Sequence, residues 1–250
     1  MEQLLALFQY TELDAQNTIG VFFRMAAFFS LIPGFGEQSI PTRVKLALAV
    51  AMTAVVAPVI DGPPENIPIT MIILTEVTSG LLLGIGLRLF AMALQTAGVI
   101  AAQATSLSQF LGGSGVDPMP AFGYILYLSG ITLAMLLGLH VKAAQFFIIS
   151  YDFLAFGRFA AASDVAEWGM AQVARVFTLA FSLAAPFLIV SFLYNVALGV
   201  INKAMPQLMV AFVGAPLITA GGLIMLFVSV PVILAVWMQA LDAFMANPLM

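Results

Sequence analysis

Charge is almost missing from this chain. Only 8% of its side chains are charged against 62% hydrophobic, with eight Lys and Arg and twelve Asp and Glu in 250 residues. A soluble domain is usually about a quarter charged, and no water-facing surface can be made from so few ionised groups. The chain must bury itself in membrane lipid or among fellow membrane subunits. Its apolar residues fall in long continuous runs, not in the weak alternation over about ten residues that marks a transmembrane barrel. The expected fold class is therefore all-α and membrane-associated.

The same poverty of charge excludes functions. No cluster of Lys and Arg exists, and phosphate backbones need several together, so nucleic acid is not a partner. There is no Cys, which removes disulfides and thiolate metal sites. Met1–Asn17 carries Glu2, Glu12 and Asp14 and no cation, the wrong sign for the start of a cleaved signal peptide. The first apolar run is expected to be a retained segment.

Six apolar runs can be marked. Thr18–Phe35, Val44–Ile60, Ala121–Leu139 (apolar onwards past Lys142 to Ile149) and Val176–Ile201 have the length of ordinary spans, for which about 20 residues suffice. Two are too long. Ile69–Ala104 amounts to roughly 54 Å as one helix, against a hydrocarbon core of about 30 Å. Leu208–Leu241 is nearly as long and contains Pro216, Gly221–Gly222 and Pro231. Both are expected to be helical hairpins that turn within apolar surroundings, a device tolerated where other protein covers the turn. Breakers sit at Pro33-Gly34 with Gly36 and Pro41, and at Asp61-Gly62-Pro63-Pro64 with Pro68. The strongest breaker is Leu111–Pro120, LGGSGVDPMP. Tyr151–Gly169 reads as the longest hydrophilic connector. Arg43 and Lys45 between the first two runs place that turn inside and the N-terminus outside by the positive-inside rule.

Enzymatic chemistry finds no footing. His140 is the only His and sits beside Lys142 at the end of an apolar run, as an interfacial structural residue would. No HExxH motif occurs, and Ser114 lies in GGSGV, not in a GxSxG elbow. Paired carboxylates and metal-ligand clusters are missing. No cofactor is expected, and the chain reads as a non-enzyme.

Arg24, Glu76 and Arg88 lie within apolar runs, where a charge costs a few kcal/mol unless it pairs or snorkels. Glu76 and Arg88 stand about 18 Å apart along a helix and about 120° around it, so they cannot pair on one straight helix. Each needs a partner on another segment, another subunit or water. Two readings stay open: a structural ion pair between helices, or a charge lining a polar path. A secondary transporter would show an internal repeat, which is not evident. Gly80 and Gly84 form a GxxxG step that permits close helix approach. The fourteen Met suit the sealing of irregular gaps. Met119 differs in lying within the Gly/Pro-rich loop.

Three stretches, in their order and spacing, resemble the FliR family (SctT in virulence systems), export-gate subunits of flagellar and related type III secretion machines. The first is Arg24 followed by Pro33-Gly34-Phe35-Gly36 and Ile40-Pro41-Thr42-Arg43. The second is Glu76 with Gly80, Gly84, Gly86 and Arg88. The third is Asn195–Gly199 followed by Met205-Pro206-Gln207-Leu208-Met209-Val210 and Val213-Gly214-Ala215-Pro216. That last block, marked by Pro206, Gln207, Gly214 and Pro216, is the most specific, although Met209 stands where the family often has Asn and Ala211 where Phe is common. The motifs look closer to the flagellar branch.

The resemblance implies a single domain over 1–250, with about 1–120 holding FliP-like hairpins and a plug loop, and about 121–250 the remaining hairpins, including a FliQ-like part. It implies a subunit of a helical export-gate cone in the bacterial inner membrane at the flagellar basal body. There one copy joins five FliP-like and four FliQ-like subunits, FlhB-like protein wraps the gate, and unfolded export substrates pass through the centre. It also implies that about Ser106–Phe122 projects into the pore as a plug. Phe110, Leu111, Met119 and Phe122 suit a seal, and Gly112, Gly113 and Gly115 allow tight yet adaptable backbone shapes. Arg24, Glu76, Arg88 and Lys203 are then structural or inter-subunit charges. The alternative is a stand-alone multipass transporter or channel for small solutes.

Overall fold

The structure, a computed structural model, describes residues 2–64, 67–105, 121–205 and 210–248. Every regular element among them is helical: α1 (Glu2–Leu31), α2 (Thr42–Val56) with a 3-10 turn at Ala57–Val59, α3 (Ile69–Thr105), α4 (Ala121–Leu136), α5 (Leu139–Phe153), α6 (Ala162–Ala204) and α7 (Val210–Ala246). The breakers act where the sequence places them. α1 stops two residues before Pro33, α2 begins directly after Pro41, and Pro58 converts the end of α2 into the 3-10 turn. Pro68 lends its carbonyl to the Met71 and Ile72 amides as α3 starts, a position where a missing N–H costs nothing.

The two overlong runs are not hairpins. α3 and α7 are each one continuous helix of 37 residues, and Pro216, Gly221, Gly222 and Pro231 lie within α7 without ending it. α6 likewise runs through Pro186 over 43 residues. The physical reason is backbone hydrogen bonding in apolar surroundings. A proline removes one bond, whereas a turn exposes several N–H and C=O groups that no water is present to satisfy. The run from Ala121 to Ile149 does break, at Gly138, whose φ of 80° falls in the left-handed region. The hydrophilic connector also shrinks, because α5 continues to Phe153 and α6 begins at Ala162.

Among the described residues, four helices are long and apolar enough to cross a membrane, or five if α4 and α5 together form one broken span. The chain is an all-α membrane protein. It divides into two compact units, Met1–Leu89 with Met135–Gln172 and Ala243–Met250, and Phe90–Ala134 with Val173–Asp242. The first unit is centred on α1, whose Val21, Met25 and Phe28 are wholly buried, as is Ile32 just beyond its end. Phe28 meets Phe147 of α5 at 5.9 Å between ring centroids, and Phe146 meets Phe244 at 5.6 Å. In the second unit Trp237 is buried and donates its indole N–H to the Phe90 carbonyl at 2.8 Å. There α4 crosses α3 at Gly98 and Gly123, where a side chain on Gly98 would overlap the Gly123 backbone. Close packing of this kind, not escape from water, holds helices together in lipid.

Candidate functional site

The first unit holds a buried charge cluster built from four chain segments. Arg24 on α1 and Glu76 on α3 have fully buried side chains. Arg24 Nε donates to Glu76 Oε2 at 2.7 Å and Nη2 donates to Oε1 at 3.0 Å, a forked pairing of the strong, oriented kind. Nη2 also donates to the Leu154 carbonyl at 2.9 Å, and Nη1 to Ser150 Oγ at 3.3 Å. Glu76 accepts two further bonds. The Tyr151 hydroxyl donates to Oε2 at 3.2 Å and the Gly157 amide to Oε1 at 3.0 Å. Gly157 has φ 71°, a backbone shape open to glycine and strained for other residues, and that turn presents its N–H to the carboxylate. The Tyr151 ring completes the cluster, with the guanidinium carbon 3.7 Å from its centroid, in cation–π range.

The approach of α3 to α1 is what lets this pair form. A Cβ on Gly80 would overlap the Arg24 carbonyl oxygen and stand 2.9 Å from Ala27 Cβ, and one on Gly84 would stand 2.8 Å from Leu31 Cβ. The GxxxG step is thus spent inside the chain, one turn from Glu76. Electrostatically the cluster is closed. Both carboxylate oxygens and all three guanidinium nitrogens have partners within the protein. Of the two readings the sequence left open for Arg24 and Glu76, this geometry suits the ion pair between helices.

The other charged candidates lie elsewhere. Arg88 is exposed on α3, and among the described residues no hydrogen bond or ion pair involves it. Lys203 is exposed in the last turn of α6. Gly214 is buried in α7 against Tyr194, whose hydroxyl donates to the Gly214 carbonyl at 2.7 Å, and Pro216 also falls within α7. Phe122 opens α4 half-buried, its ring centroid 6.2 Å from that of Phe187. Phe110, Leu111, Gly112, Gly113, Gly115 and Met119 of the plug segment, and Pro206 and Gln207 of the motif, lie outside the described residues. His140 is exposed in the first turn of α5. Among the described residues no group of three or more His, Asp or Glu is gathered as a metal site requires.

Sequence reasoning missed Ser150, Tyr151, the Leu154 carbonyl and Gly157. Two of these act through backbone atoms, which residue identity does not reveal. Tyr151 left one signal, an aromatic hydroxyl at the edge of an apolar run that also needs a charged partner elsewhere.

Outside this cluster the described surface is strongly apolar. On α6, Phe192 is 67% and Val200 64% exposed, and on α7 Phe227 is 84% and Ile224 66% exposed. A soluble monomer rarely shows contiguous apolar faces of this extent. Locked internal charges and open apolar helices define a multipass membrane protein made to be covered by lipid or by other subunits. Comparison with known proteins narrows that class. The family model described as bacterial export proteins, family 1, matches residues 16–244, and the chain belongs to that family. It is 34% identical over 224 residues to the flagellar biosynthetic protein FliR of Caulobacter vibrioides, covering 87% of this chain and 89% of the relative. The protein of the same name from Bacillus subtilis is 29% identical over 232 residues, 86% of each chain. That of Escherichia coli is 26% identical over 220 residues, 84% of this chain and 82% of the relative.

Proposed function

We propose that this chain is a non-enzymatic subunit of the flagellar type III protein export gate. It forms, with FliP-like, FliQ-like and FlhB-like subunits, the channel through which unfolded substrates cross the bacterial inner membrane. The observation that carries the reading is the family match along residues 16–244. Relatives of matching length that bear the flagellar name support its flagellar branch. The apolar faces of α6 and α7 support a chain that is covered by neighbours on assembly. The five-to-four stoichiometry of FliP-like and FliQ-like copies, and the division of the chain near residue 120 into FliP-like and FliQ-containing parts, belong to the same proposal and rest on the sequence resemblance. So does the pore plug at about Ser106–Phe122.

Affinity purification of the chain from its native membrane tests the assembly. Recovery of FliP-like and FliQ-like proteins in one complex is expected, and a stable, solute-transporting monomer sinks the reading. The plug has its own test. Deleting Gly112–Pro120 is expected to let small ions leak across the membrane while the complex still assembles. Unchanged permeability in an assembled deletion complex removes the plug from the proposal.

A further inference from the structure

The first unit carries a pocket of about 350 Å³ where the middle of α3 meets the end of α5 and the start of α6. Its walls include Leu82, Leu83, Leu154 and Val165, and two other side chains interrupt that apolar lining, Asp164 and Trp168. Asp164 is the only acidic or basic side chain that lines the pocket. The walls are held from behind. Arg24 Nη2 donates to the Leu154 carbonyl at 2.9 Å. The Trp168 indole N–H donates to the Pro248 carbonyl at 2.8 Å, and a Cβ on Gly86 would stand 3.2 Å from the ring. With its N–H committed, Trp168 offers the pocket ring surface and no donor.

Asp164 is matched less completely. It is exposed and accepts the Ser163 hydroxyl at 3.0 Å, and no ion pair among the described residues involves it. A carboxylate in the first turn of α6 suits the helix dipole. The dipole does not account for an indole one turn further on, or for the aliphatic walls around both. A carboxylate, an aromatic ring and room for an apolar stem together recognise a guanidinium, which forks onto carboxylates, stacks on rings and carries an aliphatic stem. A lysine or lipid ammonium is compact and strongly hydrated and gains less from such walls. This chain holds its own Arg24 with the same set. There the Glu76 carboxylate lies at 2.7 Å, and the Tyr151 ring centroid lies 3.7 Å from the guanidinium carbon. In the pocket the carboxylate and the ring are present, and no cation among the described residues pairs with the carboxylate.

We infer that this pocket receives an arginine side chain from another subunit of the membrane assembly, its guanidinium on Asp164 and Trp168 and its stem along Leu82, Leu83 and Val165. The inference rests on the reading of the chain as an assembly subunit and adds the chemistry of one contact. Such a charge pair governs which neighbour is accepted, since a segment without the cation leaves the carboxylate unmatched.

The full chain in detergent, with n-butylguanidinium as the probe, tests the pocket. Tryptophan fluorescence should change saturably, with half-saturation on the order of 1–10 mM for a probe of about eight heavy atoms. Trp168→Phe should remove the change, which separates it from Trp237, the other tryptophan. n-Butylurea, of like shape and without charge, should give no saturable change. Asp164→Asn should weaken the butylguanidinium response about tenfold or more. If Asp164→Asn does not stay monodisperse, the two probes on the native chain decide alone. Equal responses to both probes, or no saturable response to butylguanidinium, overturn the inference. So does a response that a folded Asp164→Asn chain leaves unchanged. In the native membrane, Asp164→Arg should lower the yield of copurified membrane subunits about tenfold or more, because like charges now meet. Selection for restored assembly should return a neighbour whose arginine has become neutral or acidic. Unchanged copurification of the Asp164→Arg chain overturns the inference even where butylguanidinium binds. Recovery of FliP-like and FliQ-like subunits with the unaltered chain then leaves the gate reading standing. Failure of the unaltered chain to copurify with any membrane subunit removes both.

Discussion

The inner and outer faces of α3 pose the same chemical problem and solve it differently. On the inner face Glu76 is matched inside the chain, held by Arg24, Tyr151 and the Gly157 amide. On the outer face Arg88 stands exposed among Leu81 and Ile85, and no hydrogen bond or ion pair among the described residues involves it. The glycines divide in the same way. Gly80 and Gly84 are in tight contact with α1, while Gly199 on α6 and Gly221 on α7 have open space where a Cβ would stand. A helix of this chain thus has one side finished by folding and another left for assembly, and hydropathy alone does not distinguish them.

The largest effect should come from breaking the finished side. Glu76→Leu leaves Arg24 buried without its carboxylate, and loss of one member of a buried pair costs about 3–5 kcal/mol. The detergent-solubilised chain should lose most of its folded population, read as a fall in the temperature at which it leaves the monodisperse peak on size-exclusion chromatography. Replacing both partners, Arg24→Met with Glu76→Leu, should recover a large part of the loss, since the expensive element is the unpaired charge. If the double variant is as unstable as the single one, the cluster's value lies in the bonds to Ser150, Leu154 and Gly157 rather than in the pairing itself.

How much of this was legible in the sequence follows from which atoms carry each feature. The all-α membrane class was readable because it depends on side-chain composition over long windows. That Glu76 needs a partner on another segment, another subunit or water was readable too, from helix geometry and the cost of charge in apolar surroundings. The fourfold clasp of Arg24 and Glu76 was not, because Leu154 and Gly157 contribute a carbonyl and an amide that every residue type possesses. The continuity of α3 and α7 was misread. Length and Gly/Pro content suggested hairpins, but Pro216 and Pro231 are absorbed by helices whose remaining backbone groups have no better partner than each other. Gly138 breaks its run where Gly221 and Gly222 do not, and nothing in the local residue types separates the two cases. The outer face of α3 was invisible for another reason: Leu74, Leu81 and Ile85 are as apolar as their buried neighbours, so only the fold assigns them a side.

A smaller effect should follow from altering the fit of α3 to α1 while leaving the charges alone. Gly80→Val forces a branched side chain into the Arg24 carbonyl and Ala27, and overpacking typically costs about 1–3 kcal/mol. The measured melting should fall by less than in Glu76→Leu, and Gly84→Ala should fall by less again, since its single added carbon would stand 2.8 Å from Leu31 Cβ and would not overlap a carbonyl oxygen as at Gly80. Gly221→Ala is the control on an open position, where exchange for a better helix former should be neutral or stabilising by up to about 1 kcal/mol. Equal losses at Gly80 and Gly221 would erase the distinction between a packed and an open glycine.

The smallest change in chain stability is expected on the outer face, and it sharpens the comparison most. Leu74 is 58% exposed, and substitutions at exposed sites usually stay within about 0.5 kcal/mol. Leu74→Ala should therefore leave the isolated chain's melting almost unchanged. If that face is covered on assembly, the same substitution removes several methyl groups from a contact between subunits, and the yield of copurified complex should fall while the isolated chain remains intact. A residue that matters only when partners are present is the signature of a face left open by folding. Should Leu74→Ala lower the melting of the isolated chain as much as Gly80→Val does, the outer face takes part in folding after all, and the division drawn across α3 does not hold.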